Sequence, residues 1–261
     1  MPKINSIPTF LINLDRRADR LEKMIARLGN LPFKRISAID GQSLNDLEFV
    51  SQINQQKMTK NEIACILSHR EVWQKIVDNK VPYACILEDD VYLSIFFQDF
   101  IKTPNWLPVS FHVIKLETFL DRVYLSFKKT KARDRLLRQL GSMHAGTAGY
   151  IVSLKGATKL LDIAQHLDRP LDHLMFEVLT INSEFRVMQI VPALCIQEHL
   201  LDPNSLKSSD INYDRSRIQT SQKTHGICKL WREIKRPYLQ TLCLMRLIKE
   251  KLIIVRYVPF I

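Results

Sequence analysis

The N-terminal half of the chain alternates between apolar runs and helical periodicity. Residues 8–14 (PTFLINL) are a short apolar run typical of a buried strand, and residues 15–29 carry an amphipathic helical stripe that ends at a glycine. Residues 33–39 alternate like a strand, and residues 59–79 predict a long helix that begins with the capping-box sequence TKNE. A continuous apolar strand follows at residues 83–87. This order, with short connections, predicts an α/β fold with a mainly parallel sheet covered by helices.

The remaining pattern extends this fold and then changes character. We expect further strands at residues 111–118, 122–128, 146–153 and 185–196, and further helices at residues 155–167 and 170–181. Between residues 205 and 224, Ser, Asp, Asn and Lys replace the apolar periodicity. We therefore predict one α/β domain over residues 1–205, followed by a linker and a tail over residues 206–261.

Charge is distributed unevenly along the 261 residues. The net charge is +11, and residues 215–261 contain eleven basic residues against two acidic ones. Within this segment, residues 227–258 mix Leu, Ile, Trp and Met with Lys and Arg. The mixture predicts a basic amphipathic helix that binds an anionic membrane surface, or alternatively a helix that packs on the domain. The segment has no aromatic-interleaved basic motif and no helix-turn-helix pattern, so we expect no nucleic-acid partner.

Composition excludes several other classes of protein. Apolar residues make up 46% of the chain and charged residues 25%, which is typical of a globular rather than a disordered protein. The five cysteines form no CxxC pair, and Cys65 and Cys85 lie in apolar runs where buried free thiols are expected. The N-terminus lacks the long apolar core of a secretory signal, and no stretch reaches the length of a membrane span. We therefore expect a cytoplasmic protein.

Three consecutive acids follow the third predicted strand. Glu88, Asp89 and Asp90 stand at its carboxyl end, where open parallel sheets collect their ligands. Glu88 and Asp90 are two residues apart in an extended segment, so they point to the same side and are suited to share a hard cation, Mn²⁺ or Mg²⁺. The alternative is an exposed acidic turn without a metal.

Two common nucleotide-binding motifs are absent from the chain, and their absence limits the reactions that such a metal would serve. Neither GxxxxGK[ST] nor GxGxxG occurs, which removes P-loop and dinucleotide-binding proteins. Metal-assisted departure of a nucleotide from a nucleotide sugar remains, as does a metal-dependent phosphoesterase or nuclease.

Eight short stretches, in order, carry a specific family resemblance. They are FLINLDRRADR (10–20), ISAIDG (36–41), NEIACILSHREVWQ (61–74), ILEDDV (86–91), IKLET (114–118), GTAGYIVS (146–153), RPLDHLMFE (169–177) and PALCIQEH (192–199). Together they resemble glycosyltransferase family 25, which contains bacterial lipooligosaccharide β-1,4-galactosyltransferases and is related to the collagen galactosyltransferases. The resemblance implies a GT-A type, Rossmann-like nucleotide-sugar-binding domain over residues 1–205, a UDP-sugar donor, a divalent metal and inversion at the anomeric carbon.

The same resemblance implies roles for individual residues. The metal ligands would be Glu88, Asp90 and His199. The donor-binding residues would be Asn13, Leu14, Arg16, Arg17, Ala38, Asp40, Ser68, His69 and Asp89. The acceptor or sugar contacts would be Gly146, Thr147, Gly149, Tyr150 and Glu198. The catalytic base would be Asp172, with Glu117 as its main rival. Asp172 also has a simpler interpretation, since an acid at a helix start is favoured by capping alone.

The resulting hypothesis is an inverting, metal-dependent transferase. It would move galactose from UDP-galactose to a terminal sugar of lipooligosaccharide or lipopolysaccharide, with Mn²⁺ or Mg²⁺, at the cytoplasmic face of the inner membrane of a Gram-negative bacterium. Three alternatives stay open at this point: another UDP-sugar as donor, a metal-dependent phosphoesterase or nuclease, and a membrane-peripheral binding protein without catalysis. The oligomeric state also stays open.

Overall fold

A computed structural model describes residues 6–46, 58–165, 169–178, 185–202 and 253–261. Nine strands of these residues form one sheet: β1 (Thr9–Asn13), β2 (Lys34–Ser37), β3 (Tyr83–Glu88), β5 (Val113–Lys115), β7 (Arg122–Ala132), β8 (Arg135–Leu140), β9 (Gly149–Ser153), β10 (Val187–Val191) and β12 (Ile253–Tyr257). Three short strands form a second sheet: β4 (Val91–Leu93), β6 (Glu117–Thr118) and β11 (Cys195–Gln197). The α-helices are α1 (Ala18–Leu28), α2 (Lys60–Asp78), α3 (Phe97–Lys102), α4 (Leu154–Ile163), α5 (Leu171–His173) and α6 (Glu198–Leu201).

The large sheet is mixed, with the strand order β12-β7-β8-β10-β5-β9-β3-β1-β2. Parallel pairing is confined to β2-β1-β3 and to β5 with β10, and the other neighbours in the described sheet are antiparallel. The expectation of a mainly parallel sheet is therefore right only for β2-β1-β3 and for β5 with β10. A tight turn joins β7 to β8, with Arg133 at φ 56, and so short a connection permits only antiparallel pairing.

Helices cover both faces of this sheet. Helix α2 buries Ile63, Val72 and Trp73 on one face, and α1 buries Met24 and Leu28 on the other. The predicted capping box of α2 is confirmed. The Thr59 hydroxyl accepts a hydrogen bond from the Glu62 N–H at 3.0 Å, while the Glu62 carboxylate accepts one from the Thr59 N–H at 2.8 Å. The box starts α2 at a defined residue and so sets which of its side chains reach the carboxyl ends of β1 and β3.

Several predicted elements are shorter than the sequence pattern suggested. Helix α4 ends at Ile163, and α5 is one turn followed by the π-helical turn Leu174–Val178. The predicted strand over residues 111–118 is divided into β5 and β6, and that over residues 185–196 into β10 and β11. Each division lets the chain leave the large sheet and join the three-stranded sheet, where β11 pairs with β6 and β4.

The last described residues belong to the large sheet. Strand β12 pairs antiparallel with β7, and the Thr118 hydroxyl donates to the Val258 carbonyl at 2.6 Å. The predicted helix over residues 227–258 is therefore wrong over β12. Strand β12 has the sequence IIVRY, which is rich in β-branched residues, and pairing with an available sheet edge overrides helical periodicity. Residues 203–252, which include the predicted boundary at 205, lie outside the described residues.

None of the helices in the described part of the chain combines the length and apolar character needed to cross a bilayer.

Candidate active site

A pocket of about 650 Å³ opens where β1, β2 and β3 end and α2 begins. Its walls combine the strand ends, the loop after β2 and one face of α2. The lining residues are Ile12, Asn13, Leu14, Arg20, Ala38, Ile39, Gly41, Asn61, Ala64, Cys65, Ser68, His69, Glu88, Asp89 and Asp90. This is the position at which an open parallel sheet binds ligands, because the carboxyl ends of its strands meet at one edge.

Most of the predicted donor-binding residues line this pocket, together with two predicted metal ligands. The structure brings together Asn13, Leu14, Ala38, Ser68, His69, Glu88, Asp89 and Asp90. Arg16, Arg17 and Asp40 are not among the lining residues. The Arg16 guanidinium lies 2.7 Å from the Asp40 carboxylate, and Arg17 lies 2.9 Å from Asp19.

Glu88 is held in place by two neighbours. Its Oε1 accepts a hydrogen bond from the Thr147 hydroxyl at 3.0 Å and lies 3.2 Å from His69 Nε2. Burial raises the pKa of Glu88, but the hydrogen bond and charge of His69 and the hydrogen bond of Thr147 outweigh it, so that the pKa falls below the usual value. Glu88 is therefore an ionised, oriented carboxylate.

Asp90 has the opposite environment. Burial, and then the negative charge of Glu88, raise the pKa of Asp90 to about 8. Its Oδ1 is buried and has no hydrogen-bond partner among the described residues. Two close carboxylates, one with an unsatisfied oxygen, are a donor set that suits a hard divalent cation. The residues present therefore fit Mn²⁺ or Mg²⁺.

A chain of hydrogen bonds leads from the core to Glu88. The Trp73 indole N–H donates to the Tyr150 hydroxyl oxygen at 2.9 Å, and that oxygen lies 2.8 Å from His69 Nδ1. A charged His69 donates its Nδ1–H to the Tyr150 oxygen and its Nε2–H to Glu88. In the neutral form with the proton on Nε2, the Tyr150 O–H donates to Nδ1 and the Nε2–H still faces Glu88. Tyr150 is fully buried. The prediction that it stacks on a sugar is wrong, because its ring lies in the core and its hydroxyl supports His69.

Asp89, Asn13 and Ser68 use their polar atoms to brace the pocket walls. The Asp89 carboxylate accepts from Asn13 Nδ2 at 2.7 Å and from Arg20 Nη1 at 3.0 Å, which ties β1 and α1 to the end of β3. The Ser68 hydroxyl accepts from the Ile39 N–H at 2.9 Å and donates to the Ala64 carbonyl at 2.7 Å. These bonds fix the loop after β2 against α2.

Glu117 is enclosed, which contradicts its prediction as a rival catalytic base. Its side chain is fully buried, and Lys115, the Ala148 N–H and the Gln197 amide donate to it at 3.1, 3.0 and 2.7 Å. Burial raises the pKa of Glu117, and the Lys115 ammonium opposes that rise. A carboxylate with three donors and no exposure cannot meet an acceptor hydroxyl, so Glu117 organises the loop over residues 144–148 instead.

Gly146 and Gly149 are required by packing in this structure. Gly146 has φ 80, and a Cβ there would lie 2.4 Å from Glu117 Oε1. A Cβ on Gly149 would lie 2.2 Å from the Cys195 Sγ. The two glycines were predicted to let a sugar approach the backbone, but in this structure protein atoms occupy that space. Thr147, between them, holds Glu88.

Asp172 lies near the pocket at the start of α5. Its carboxylate accepts from the His173 N–H at 2.9 Å and from the Gly146 N–H at 3.4 Å. Burial, together with the negative charges of Glu88, Asp172 and Asp90, raises the pKa of the Cys65 thiol. Asp172 therefore acts electrostatically on the same pocket wall as Glu88 and Asp90.

Glu198 and His199 lie beside the pocket rather than in its lining. The Glu198 N–H donates to the Asp90 carbonyl at 2.8 Å, but the Glu198 carboxylate is 2.6 Å from Arg27 in a buried ion pair. The His199 ring packs edge-on against Phe119 with centroids 5.5 Å apart, and burial lowers the pKa of His199. The structure does not join His199 to Glu88 and Asp90, so its role as a ligand stays a prediction.

Sequence reasoning missed two groups at this site. Cys65 lines the pocket, and its spacing of four residues before His69 was a signal that both share one face of α2. Lys115 is fully buried inside the IKLET stretch, with its ammonium 4.3 Å from the centre of the Phe176 ring. A lone Lys in an apolar strand was the available signal, because buried Lys needs a specific partner.

Known proteins resemble this chain over most of its length. The model of glycosyltransferase family 25, described as a lipopolysaccharide biosynthesis protein family, matches residues 6–175. The lacto-N-neotetraose biosynthesis glycosyltransferase LgtE of Neisseria meningitidis is 29% identical over 82% of this chain and 84% of its own. The lipooligosaccharide biosynthesis protein lic2B of Haemophilus influenzae is 29% identical over 80% and 82%. Procollagen galactosyltransferase 1 of Danio rerio is 30% identical over 58% of this chain and 28% of its own. Because the family model covers well over half of the residues, this chain belongs to glycosyltransferase family 25.

Proposed function

We propose that this protein transfers galactose from UDP-galactose to a terminal sugar of lipooligosaccharide, with inversion at the anomeric carbon. The observation that carries the proposal is the pair Glu88 and Asp90, with its unsatisfied buried oxygen, in the wall of a pocket at the strand ends of a family 25 member. The names of its relatives supply the acceptor class and, through the procollagen enzyme, the sugar. A β-1,4 linkage and a GT-A type arrangement of the sheet are part of the same proposal.

Glu88 and Asp90 would hold Mn²⁺ or Mg²⁺, with His199 as a further candidate ligand. The cation would supply charge neutralisation for the UDP leaving group. Around it, the described residues contribute orientation: Thr147 and His69 fix the Glu88 carboxylate, and Arg20 with Asn13 fixes the Asp89 turn. Ala38 and Leu14 give the pocket an apolar wall suited to a nucleobase or ribose.

Asp172 is the proposed base. Inversion by direct displacement needs a group that takes the proton of the acceptor hydroxyl as the new bond forms. With Glu117 enclosed, Asp172 is the predicted candidate whose side chain is half-buried near the pocket rather than sealed. Its two backbone donors leave acceptor capacity on the carboxylate for a hydroxyl.

The basic tail suits an acceptor that is linked to lipid. Residues 215–252 carry most of the excess positive charge, and an anionic inner-membrane surface would attract them from the cytoplasmic side. We include this peripheral association in the proposal.

Transfer activity tests the proposal. Full-length protein is incubated with UDP-galactose, Mn²⁺ and glycosides that end in glucose or N-acetylglucosamine, while UDP release and product formation are followed. We expect acceptor-dependent UDP release and an NMR coupling of the new anomeric proton that reports a β-linkage. Asp90→Asn should lower the rate by about a hundredfold or more. Asp78→Asn, at an exposed position at the end of α2, is the matched control and should be close to wild type. Hydrolysis of nucleic acid without sugar transfer would overturn the proposal.

A further inference from the structure

Three potential metal ligands of mixed chemistry meet in the wall of the pocket. The Sγ of Cys65, a ring nitrogen of His69 and a carboxylate oxygen of Glu88 all lie within 4.8 Å of one another. Cys65 and His69 are one turn apart on α2, so they share a face of that helix, and Glu88 faces them from the end of β3. All three residues line the pocket, which gives an ion a path to them.

The donor set differs in kind from the pair Glu88 and Asp90. One sulfur, one imidazole nitrogen and one carboxylate oxygen are typical ligands of Zn²⁺ and of its spectroscopic substitute Co²⁺. Mn²⁺ and Mg²⁺ prefer oxygen ligands and gain little from a sulfur. Three protein ligands leave a tetrahedral ion one open position toward the pocket.

Neighbouring groups already orient the ligands. The Tyr150 hydroxyl lies 2.8 Å from His69 Nδ1, so the imidazole presents Nε2 to the cluster. The Thr147 hydroxyl donates to Glu88 Oε1 at 3.0 Å, which fixes the carboxylate on the opposite side. Partners of this kind set the ring orientation of a metal-bound histidine and strengthen its binding.

We propose that Cys65, His69 and Glu88 form a second metal site, selective for thiophilic cations of the Zn²⁺ class, and that its occupation inhibits the enzyme. Binding releases the Cys65 thiol proton to solvent and forms a sulfur–metal bond. It also requires the His69 tautomer with its proton on Nδ1, donated to the Tyr150 oxygen, so that the Nε2 lone pair faces the ion. Inhibition follows because Glu88 serves both sites, so an ion on Cys65 and His69 withdraws it from the Mn²⁺ pair. Metal binding here stands independently of the proposed function, whereas inhibition rests on it.

Co²⁺ absorption tests binding without any assay of transfer. Full-length protein in buffer without other divalent cations is titrated with Co²⁺. We expect a thiolate-to-cobalt charge-transfer band in the near ultraviolet, together with visible bands of tetrahedral Co²⁺. Cys65→Ser should abolish the charge-transfer band, and Tyr150→Phe should weaken Co²⁺ binding by about tenfold or more. Cys85→Ala, which removes a buried thiol outside the cluster, is the matched control and should keep the band.

Two spectroscopic results would overturn the site: no charge-transfer band in the wild type, or a band that persists in Cys65→Ser. Thermal unfolding of each variant establishes that it is folded before the titration is interpreted.

Inhibition is measured as the ratio of transfer rates with and without added Zn²⁺ at fixed Mn²⁺. We expect the rate of the wild type to fall by about tenfold or more at saturating Zn²⁺, and the rate of Cys65→Ser to change by less than about twofold. Equal inhibition of both proteins would contradict the shared use of Glu88. If the protein transfers no sugar at all, the proposed function fails, while the Co²⁺ spectrum still decides the metal site.

Discussion

At the scale of single residues, the carboxyl group of Asp90 lies in an electrostatically unfavourable environment. Its carboxyl is partly buried beside Glu88, with the Arg20 guanidinium 4.0 Å away and one buried oxygen without a partner among the described residues. Such an arrangement destabilises the metal-free protein, and the binding of a cation would stabilise it. Functional sites commonly retain groups that stability alone would remove.

The raised pKa of Asp90 predicts that the free energy of unfolding depends on pH. Its pKa is about 8 in the folded protein and near 3.8 in the unfolded chain. Between these values the folded state holds a proton that the unfolded state has lost, so this group makes stability fall as the pH rises through that window. In metal-free protein near the upper end of the window, we expect Asp90→Asn to be more stable than the wild type by about 1–3 kcal/mol.

Thermal unfolding with a chelator at about pH 8 and about pH 5 measures this difference. The advantage of Asp90→Asn should shrink at the lower pH, and added Mn²⁺ should raise the melting temperature of the wild type alone. An advantage that is equal at both pH values would contradict the assigned pKa.

The Tyr150 hydroxyl gives a second residue-scale prediction. Tyr150→Phe keeps the ring but leaves the Trp73 N–H and His69 Nδ1 without this partner. We expect a loss of about 1–3 kcal/mol in the free energy of unfolding, because buried polar groups are then unpaired. Urea denaturation measures the loss. Tyr92→Phe, at a half-exposed position, is the control and should stay within about 0.5 kcal/mol of the wild type.

At the scale of elements, the loop over residues 144–148 connects the buried ion pair of Lys115 and Glu117 to Glu88, one of the two acids proposed to bind a cation. The Lys115 ammonium donates to the Ala145 carbonyl at 2.9 Å, and Glu117 accepts from the Ala148 N–H. Between these anchors, Thr147 reaches Glu88. The position of Glu88 thus depends on an ion pair that does not line the pocket.

Gly146 tests this dependence. In Gly146→Ala the new Cβ meets the Glu117 carboxylate at a residue with φ 80, so the loop must move and Thr147 must leave Glu88. We expect transfer activity to fall by about tenfold or more. Gly29→Ala is the matched control, since Gly29 also has positive φ but its Cβ would meet only the flexible end of Gln98. It should lose stability and keep activity. Equal activity losses in both variants would show that backbone strain alone is responsible.

At the scale of elements, some strands and helices could be predicted from the sequence, whereas the burial of particular side chains could not. Strands β1 to β3 and helix α2 follow from local periodicity and from a capping box four residues long, so the acids at the end of β3 could be placed in advance. The burial of Tyr150 and Glu117 could not, because their partners lie up to 81 residues away along the chain. The same holds for β12, whose partner β7 fixes its conformation from across the sequence. Tertiary contacts of this kind override local patterns.

At the scale of the whole molecule, the basic segment, residues 215–252, precedes strand β12 in the sequence, and β12 belongs to the same fold as the N-terminal strands. Strand β12 completes the large sheet, and Arg135 donates to the backbone carbonyl of Ile261 at 2.9 Å. Deletion of residues 206–261 would therefore remove a strand as well as the tail, and would confuse membrane binding with folding. Charge substitution is the better design.

We expect the basic segment to govern binding to anionic vesicles. Replacement of Lys229, Arg232, Lys235 and Arg236 by Gln removes four positive charges, each worth about 1 kcal/mol near an anionic surface. Co-sedimentation with vesicles of phosphatidylglycerol and phosphatidylcholine should show binding that weakens by about a hundredfold or more and that also falls at high salt. Vesicles of phosphatidylcholine alone are the control. Unchanged binding of the variant would contradict peripheral association through this segment.

The central claim is that Glu88 and Asp90 bind a divalent cation that holds the diphosphate of UDP. Calorimetric titration of UDP into the wild type and Asp90→Asn, each with Mn²⁺ and with chelator, tests it most directly. We predict that UDP binds the wild type about tenfold or more tightly when Mn²⁺ is present, and that Asp90→Asn shows no such gain. The same UDP affinity in all four titrations would contradict the claim.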